Sequence, residues 1–413
     1  MINEQLTMNN EQNPPIRDPR SSPNRGLGGP NPPNRGLGGH DVIILGAGPA
    51  GSSIAHLLAG QGWDVLLIEQ HHFPRHKVCG EFLSPEAQFS LRAMGLYQAV
   101  EALSPALIER ARLVSPAGLA AAMALPGQAW GISRFALDAS LAAAAQKSGA
   151  ETQFGVTATR IIPIEKGYEV VLRSKSGATT LRARAVLAAC GRHSGPGLPP
   201  QATSGRTAHV GLKGHYEGVM MPPQVELFFF PGGYAGVGPI EGGRVNLCLL
   251  ASPTVLARAG KGVSSMLAWV VKQNHKLARR LAGGRLLPGT EVAVAPVDTH
   301  RPAAPWAGLA CLGDTAVMIP PLCGDGMAMA LRSAELCAPL AHDFLAGRLL
   351  LAGWAAAYRA AWQAEFGQAV RLGRYLQTLL SAPILSEALL GLGRLFPPLA
   401  EVLVRATRSG GPK

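Results

Sequence analysis

The segment Gly46-Ala-Gly48-Pro-Ala-Gly51 constrains the fold of this chain more than any other. It follows a short β-branched apolar run, Val42-Ile-Ile-Leu45, and opens a stretch to Gly60 in which Ile54, Ala55, Leu57 and Leu58 recur with near-helical spacing. This pattern predicts a buried strand, a tight turn and a helix. Gly60-Gln-Gly62 ends the helix, and Val65-Leu-Leu-Ile68 reads as a second buried strand. Each glycine has a mechanical reason: Gly46 permits the turn, Gly48 lets a diphosphate approach the backbone, and Gly51 allows close helix–strand packing. The positive helix N-terminus suits the diphosphate, and Glu69, at the end of the second strand, suits a ribose hydroxyl. An acidic residue there favours an unphosphorylated ribose. Glycines alone would say little; with the strand, the helix and Glu69 they predict a dinucleotide-binding βαβ unit.

The 413 residues exceed one ordinary domain, and 47% hydrophobic against 15% charged residues describes a globular chain with a large core. Residues 1–39 are the exception: they are rich in Asn, Pro, Gly and Arg, and Pro23-Asn-Arg-Gly-Leu-Gly-Gly29 recurs at Pro33 to Gly39. They have almost nothing to bury and read as a disordered tail. Further on, Arg134–Gly149 reads as a helix, Glu151–Thr159 as a strand, and Arg160–Arg173 with Thr179–Ala189 as a strand meander ending at Cys190-Gly191. Residues His209–Ala251, which include Val225–Phe230 and Arg244–Leu250, predict several strands. Residues 263–283 read as helical, Leu309–Leu312 as a short buried strand, and the chain from Gly326 to about Arg408 as helix.

The net charge of +12 raises the question of nucleic acid, but the basic residues are scattered and no run of five or six occurs. Cys79, Cys190, Cys248, Cys311, Cys323 and Cys337 form no C-x-x-C pair, which argues for a reducing compartment and against a zinc site. His193, His215 and the His71-His72 pair show no metal spacing, so no metal is assigned. The polar first residues hold no secretory signal, which predicts a cytoplasmic protein. Near the C-terminus the apolar stretch Leu376–Val404 is interrupted by Glu387, Arg394, Glu401 and Pro397-Pro398 and is too broken to span a bilayer. Residues 371–413 carry six basic and two acidic groups, which leaves peripheral attachment to an anionic membrane open beside simple docking of these helices on the body.

A second motif, Gly313-Asp-Thr-Ala316 through Pro321-Leu-Cys-Gly324-Asp-Gly326, resembles the FAD-dependent monooxygenase and geranylgeranyl-reductase group, flavoproteins with a p-hydroxybenzoate-hydroxylase-like fold. The resemblance implies that Asp314 accepts from a ribityl hydroxyl, that Pro321, Gly324 and Gly326 carry backbone along the flavin ring, and that the helix opening at Met327 directs its dipole at the pyrimidine side. Pro74-Arg-His-Lys77-Val-Cys79-Gly80 is similar to the P-x-x-K-x-C-G loop of the reductases, which runs along the cofactor. Ser133-Arg134-Phe-Ala-Leu-Asp138 is similar to their R-x-x-L-D helix, in which the Arg reaches the cofactor. The cofactor-binding set is thus Gly46, Gly48, Ala50, Gly51, Glu69, Lys77, Cys79, Gly80, Arg134, Asp314, Pro321, Gly324, Gly326 and Met327. No catalytic acid or base stands out; Cys79 and Tyr234 are the candidates, each with a bland alternative as a packed side chain.

There are departures. Cys190-Gly191-Arg192 stands where the aromatic hydroxylases carry Asp-Gly, which puts direct NAD(P)H use in doubt against a reduced electron carrier. Trp130-Gly-Ile-Ser133 lacks the W-x-W-x-I-P signature of flavin halogenases, leaving halogenation a minor reading. Pro231-Gly-Gly-Tyr234 lacks the Trp that follows in the reductases.

The resemblance implies an α/β protein: a Rossmann-like FAD-binding domain with a β-meander crossover (40–110, 131–200 and 301–345), interrupted by a mixed-sheet substrate domain (111–130 and 201–300), then C-terminal helices (346–413). The function implied is a FAD-dependent oxidoreductase of a hydrophobic or aromatic substrate, either a monooxygenase or a reductase of carbon–carbon double bonds. The alternative from another class is a FAD-containing accessory or assembly protein, for which no apolar pocket would stand beside the flavin.

Overall fold

The computed structural model describes residues 39–192, 208–260 and 262–381, together with Glu387 and Gly391. The expected tail through residue 38, His193 and most of the chain beyond 381 lie outside the described residues.

Strand His40–Leu45 lies between two parallel neighbours, Val65–Glu69 and Gly177–Ala188, and Glu151–Phe154 extends the sheet beyond Val65–Glu69. A strand covered on both faces has no alternating polar side, which is why Val42-Ile-Ile-Leu45 and Val65-Leu-Leu-Ile68 are continuous apolar runs, all buried. Burying each such side chain contributes about 1.5–3 kcal/mol. Thr157–Ile164, Gly167–Ser174 and Gly177–Ala188 form an antiparallel meander whose last strand continues into the parallel sheet, where Ala310–Cys311 pairs with its end. Helix Pro49–Gly60 packs against helices Arg134–Lys147 and Gly326–Leu345, and the latter also against the long helix Leu351–Ser381.

The second sheet has nine strands. Along its path run Arg285–Leu286, His209–Glu217, Val245–Ala251, Gly233–Pro239, Gln224–Phe230, Ala106–Val114, Ala120–Gly131 and Phe82–Leu83, with Val292–Val297 also pairing with His209–Glu217. Its pairings are antiparallel except for Gln224–Phe230 beside Ala106–Val114, so the sheet is mixed, as expected.

Three local expectations change. Glu151–Thr159 is two strands, because Gly155 turns the chain at φ +73°, where a β-carbon would lie 2.9 Å from the His72 ring. The helical stretch 263–283 is split into Val263–Val271 and His275–Arg280 by Asn274, whose side chain accepts from the backbone N–H of Lys276 and Leu277 and starts a new helix. The expected boundary at residue 110 falls inside strand Ala106–Val114, which belongs wholly to the second sheet, as do Phe82–Leu83 and Gly131.

Candidate functional site

The first glycine turn is built as its spacing requires. Gly46 adopts φ +97°, and a β-carbon there would lie 2.4 Å from the Ala189 carbonyl oxygen. At Gly51 a β-carbon would lie 1.8 Å from the Gly46 oxygen, so helix and strand can close only on a glycine. Gly48 differs: a β-carbon there would meet only the Arg134 guanidinium, at 3.5 Å, and would otherwise project into open space. No side chain caps helix Pro49–Gly60 and no acidic residue occupies its first turn, so its positive end is free for an anion. Buried Glu69 holds this turn, accepting from the backbone N–H of Ala47 (3.0 Å) and of His71 (3.1 Å).

The second glycine motif faces the first. Asp314 lies in the single turn Gly313–Thr315 after strand Ala310–Cys311; it caps no helix, and its carboxylate makes no hydrogen bond with the described residues. Thr315 ties this turn to Gly191 through its hydroxyl, at 2.9 and 3.2 Å, and Arg301 donates to the backbone oxygens of Asp314 and Thr315. Gly324 is left-handed at φ +66°, and a β-carbon on it would press on the Phe82 ring at 3.1 Å. Helix Gly326–Leu345 then begins with no side-chain cap and no acid in its first turn, as helix Pro49–Gly60 does. Helix Arg134–Lys147, by contrast, is capped by the Ser133 hydroxyl, which accepts from the Ala136 N–H at 3.1 Å.

Arg134 projects from that helix and is gripped in two-point fashion by Asp138, at 2.6 and 2.7 Å. Burial opposes its charge, but Asp138 outweighs burial and holds the guanidinium fully protonated. Lys77 stands beside Gly191; burial, and then the neighbouring Arg134, lower its amine to about 8. A cation destabilised in this way gains from an anionic partner.

Gly48, Lys77, Arg134, Asp314 and Gly324 open onto one cavity of about 360 Å³. One end is the cradle, with Gly48, Ala50, Lys77, Cys79, Arg134, Asp314, Pro321, Gly324, Gly326 and Met327 on its wall. From it an apolar extension runs across the second sheet, lined by Leu113, Met123, Leu125, Leu227, Tyr234 and Leu250, and by Leu376 and Leu380 of the long C-terminal helix. Tyr234 is buried there, and among the described residues its hydroxyl makes no hydrogen bond of good geometry. Of the predicted cofactor set, Gly46, Gly51 and Glu69 shape the turn from behind; the others, Gly80 among them, line the cavity.

Two buried acids escaped the sequence reading. Asp325, fully buried within the second glycine motif and at the N-cap position of helix Gly326–Leu345, accepts from the Ser84 hydroxyl at 3.0 Å. Glu81, also buried, is bonded to Lys213 and to His215 Nε2 (2.7 Å), and accepts from the Arg134 N–H at 2.8 Å. The signal for the second was the pair Lys213 and His215, two residues apart on one face of a strand that is otherwise largely apolar.

Open space at Gly48, two helix starts without a side-chain cap on one cavity and an Asp314 carboxylate with no hydrogen bond among the described residues are what a flavin dinucleotide requires, and the residues present fit FAD. Together with the meander-crossed parallel sheet they define a FAD-dependent flavoprotein. The FAD binding domain family matches residues 39–207. Digeranylgeranylglycerophospholipid reductase of Methanocella arvoryzae is 30% identical over 324 residues, covering 72% of this chain and 76% of the relative. Menaquinone reductase of Mycobacterium tuberculosis is 25% identical over 391 residues, covering 89% and 88%. Among solved structures, a flavin-dependent brominase aligns at a TM-score of 0.75 and 20% identity over 89% of this chain and 93% of its own, and a flavoprotein/dehydrogenase from Cytophaga hutchinsonii at 0.71 and 20% over 83% and 86%; these show the shared fold. The chain belongs to the FAD-dependent oxidoreductases of the geranylgeranyl-reductase and FAD-binding monooxygenase group, and it is an enzyme with FAD as its cofactor. Among the described residues no helix is long and apolar enough to cross a membrane, and no His, Cys, Asp and Glu side chains cluster as metal ligands.

Proposed function

We propose that this enzyme is a FAD-dependent reductase that saturates carbon–carbon double bonds in a long apolar substrate. The observation that carries the reading is the cavity: its cradle continues into an aliphatic channel walled by Leu113, Met123, Leu125 and Leu227, with the polar tip of Tyr234 on the same lining. Such a wall orients a hydrocarbon chain by shape and excludes water from the reacting carbons. The apolar channel also counts against an accessory protein without a small substrate. The reductase names of the relatives favour reduction over hydroxylation and halogenation.

Bound FAD supplies the hydride chemistry, two electrons at a time. The side chains then divide the remaining work. The free start of helix Pro49–Gly60, with Gly48 and Ala50, takes the diphosphate, Glu69 the ribose side and Asp314 the ribityl chain. Arg134 and Lys77 offer positive charge along the cofactor, and the start of helix Gly326–Leu345 faces the pyrimidine side. Cys79 on the cradle wall and Tyr234 in the apolar extension are the side chains that this reading brings to the reacting part of the substrate. The electron donor is a reduced carrier or a nicotinamide.

The test is product analysis with polyprenyl substrates and a reduced mediator, with and without oxygen. A reductase yields product with two hydrogens added per double bond in the absence of oxygen. Product that carries oxygen and forms only in air would overturn the reading.

A further inference from the structure

Glu81 makes more contacts than an ordinary ion pair needs. It is fully buried at φ +55°, a conformation that side chains other than glycine rarely adopt. Its backbone N–H lies 3.4 Å from the Cys79 sulfur, and its backbone oxygen accepts from the Ile132 N–H at 2.9 Å, just before helix Arg134–Lys147. Its carboxylate reaches three ways. Oε1 takes the Arg134 N–H and the Lys213 ammonium; Oε2 takes His215 Nε2. Burial opposes the charge, but His215 and Lys213 outweigh it and keep the carboxyl ionised below its ordinary range.

The neighbouring bonds pull the same way. Asn246, opposite His215 on the next strand, donates to the Cys79 carbonyl at 3.0 Å. Gly211, two residues before Lys213 on the same face, has no side chain, and a β-carbon there would lie 3.0 Å from Val78. The loop that carries Lys77 and Cys79 is therefore laid onto one face of the second sheet, and the same carboxylate holds the first turn of the helix that carries Arg134. A buried pair of charges contributes little net stability over apolar residues of the same shape, so what this one supplies is geometry.

We propose that Glu81 is the positioning residue of the cavity: one buried carboxylate ties the Lys77–Cys79 loop and the start of the Arg134 helix to the second sheet, and so sets where these three side chains stand against the cofactor and substrate. Glu81 stands on the cavity wall itself, and it acts through the groups it holds.

The test uses FAD-loaded protein carrying Glu81→Gln together with Lys213→Met, so that no buried charge is left without its partner. Cys79 alkylation by iodoacetamide is followed by peptide mass spectrometry, beside the visible flavin spectrum and the melting temperature. The double variant is expected to fold with FAD bound, while release of the loop speeds Cys79 alkylation by about tenfold or more and shifts the flavin spectrum; one lost charge-assisted bond is enough for a decade. A folded double variant with the parent's alkylation rate and flavin spectrum would overturn the proposal. Should the double variant fail to fold, His215→Leu keeps the Lys213–Glu81 pair and removes one anchor. A smaller change in the same direction supports the proposal, and a parental rate overturns it. No substrate is needed, so the outcome is separate from that of the reductase reading.

Discussion

Replacing Asp314 by alanine separates cofactor binding from folding, because its carboxylate lines the cavity and makes no hydrogen bond with the described residues. The turn Gly313–Thr315 is held by its backbone instead, through Arg301 and through Thr315 to Gly191. Loss of the side chain should therefore leave stability within about 0.5 kcal/mol of the parent, as for a substitution that breaks no contact. On the proposed placement, the same carboxylate accepts a ribityl hydroxyl in the loaded enzyme, a charge-assisted bond of about 1.5–3 kcal/mol. At ~1.4 kcal/mol per decade, FAD affinity should fall by about tenfold to a hundredfold. Flavin fluorescence titration measures the affinity, and thermal unfolding of the FAD-free protein measures the stability. An unchanged dissociation constant would refute the placement of Asp314 on the ribityl chain. A large loss of stability would refute the view that its carboxylate is free.

The two inner glycines should fail differently. Gly51→Ala places a methyl 1.8 Å from the Gly46 oxygen and should cost the fold itself, whereas Gly48→Val projects into the cavity and should yield folded, colourless protein; circular dichroism with flavin content distinguishes them. Lys77 is charged below pH of about 8 and neutral above it, and an anionic partner raises its amine again. FAD affinity should thus be full below about pH 8 and decline as pH rises past it, a slope that Lys77→Met removes; a parental slope in the variant would reject Lys77 as a cofactor cation. Deleting residues 1–38 should leave flavin content and turnover unchanged, since the first glycine turn begins at Gly46; loss of either in folded protein would assign the segment a role.

The features legible in the sequence are those written in neighbouring residues. Strand, glycine turn, helix and Glu69 span under thirty positions, and each glycine's steric reason is local, so their structure could be read in advance. Pairings across the chain were not legible. Ala106–Val114 alternates Arg and Glu with apolar residues, and Ala120–Gly131 is rich in Ala, a weak strand former, so neither identifies the sheet it joins. Glu81 meets Lys213 and His215 across more than 130 residues, and in a single sequence nothing links them beyond two polar residues on one strand face. The Asp314 turn was found only through resemblance; its freedom from helix capping is a fact of the fold.

The most direct measurement of the central claim is anaerobic stopped-flow reoxidation of the chemically reduced, FAD-loaded enzyme on mixing with a polyprenyl substrate. If the aliphatic channel presents a double bond to the flavin, the oxidised flavin absorbance returns without oxygen, at a rate that saturates with substrate, and equivalents of saturated bond appear with it. A flavin that stays reduced with every polyprenyl chain tested, and reoxidises only when oxygen is admitted, would contradict the account.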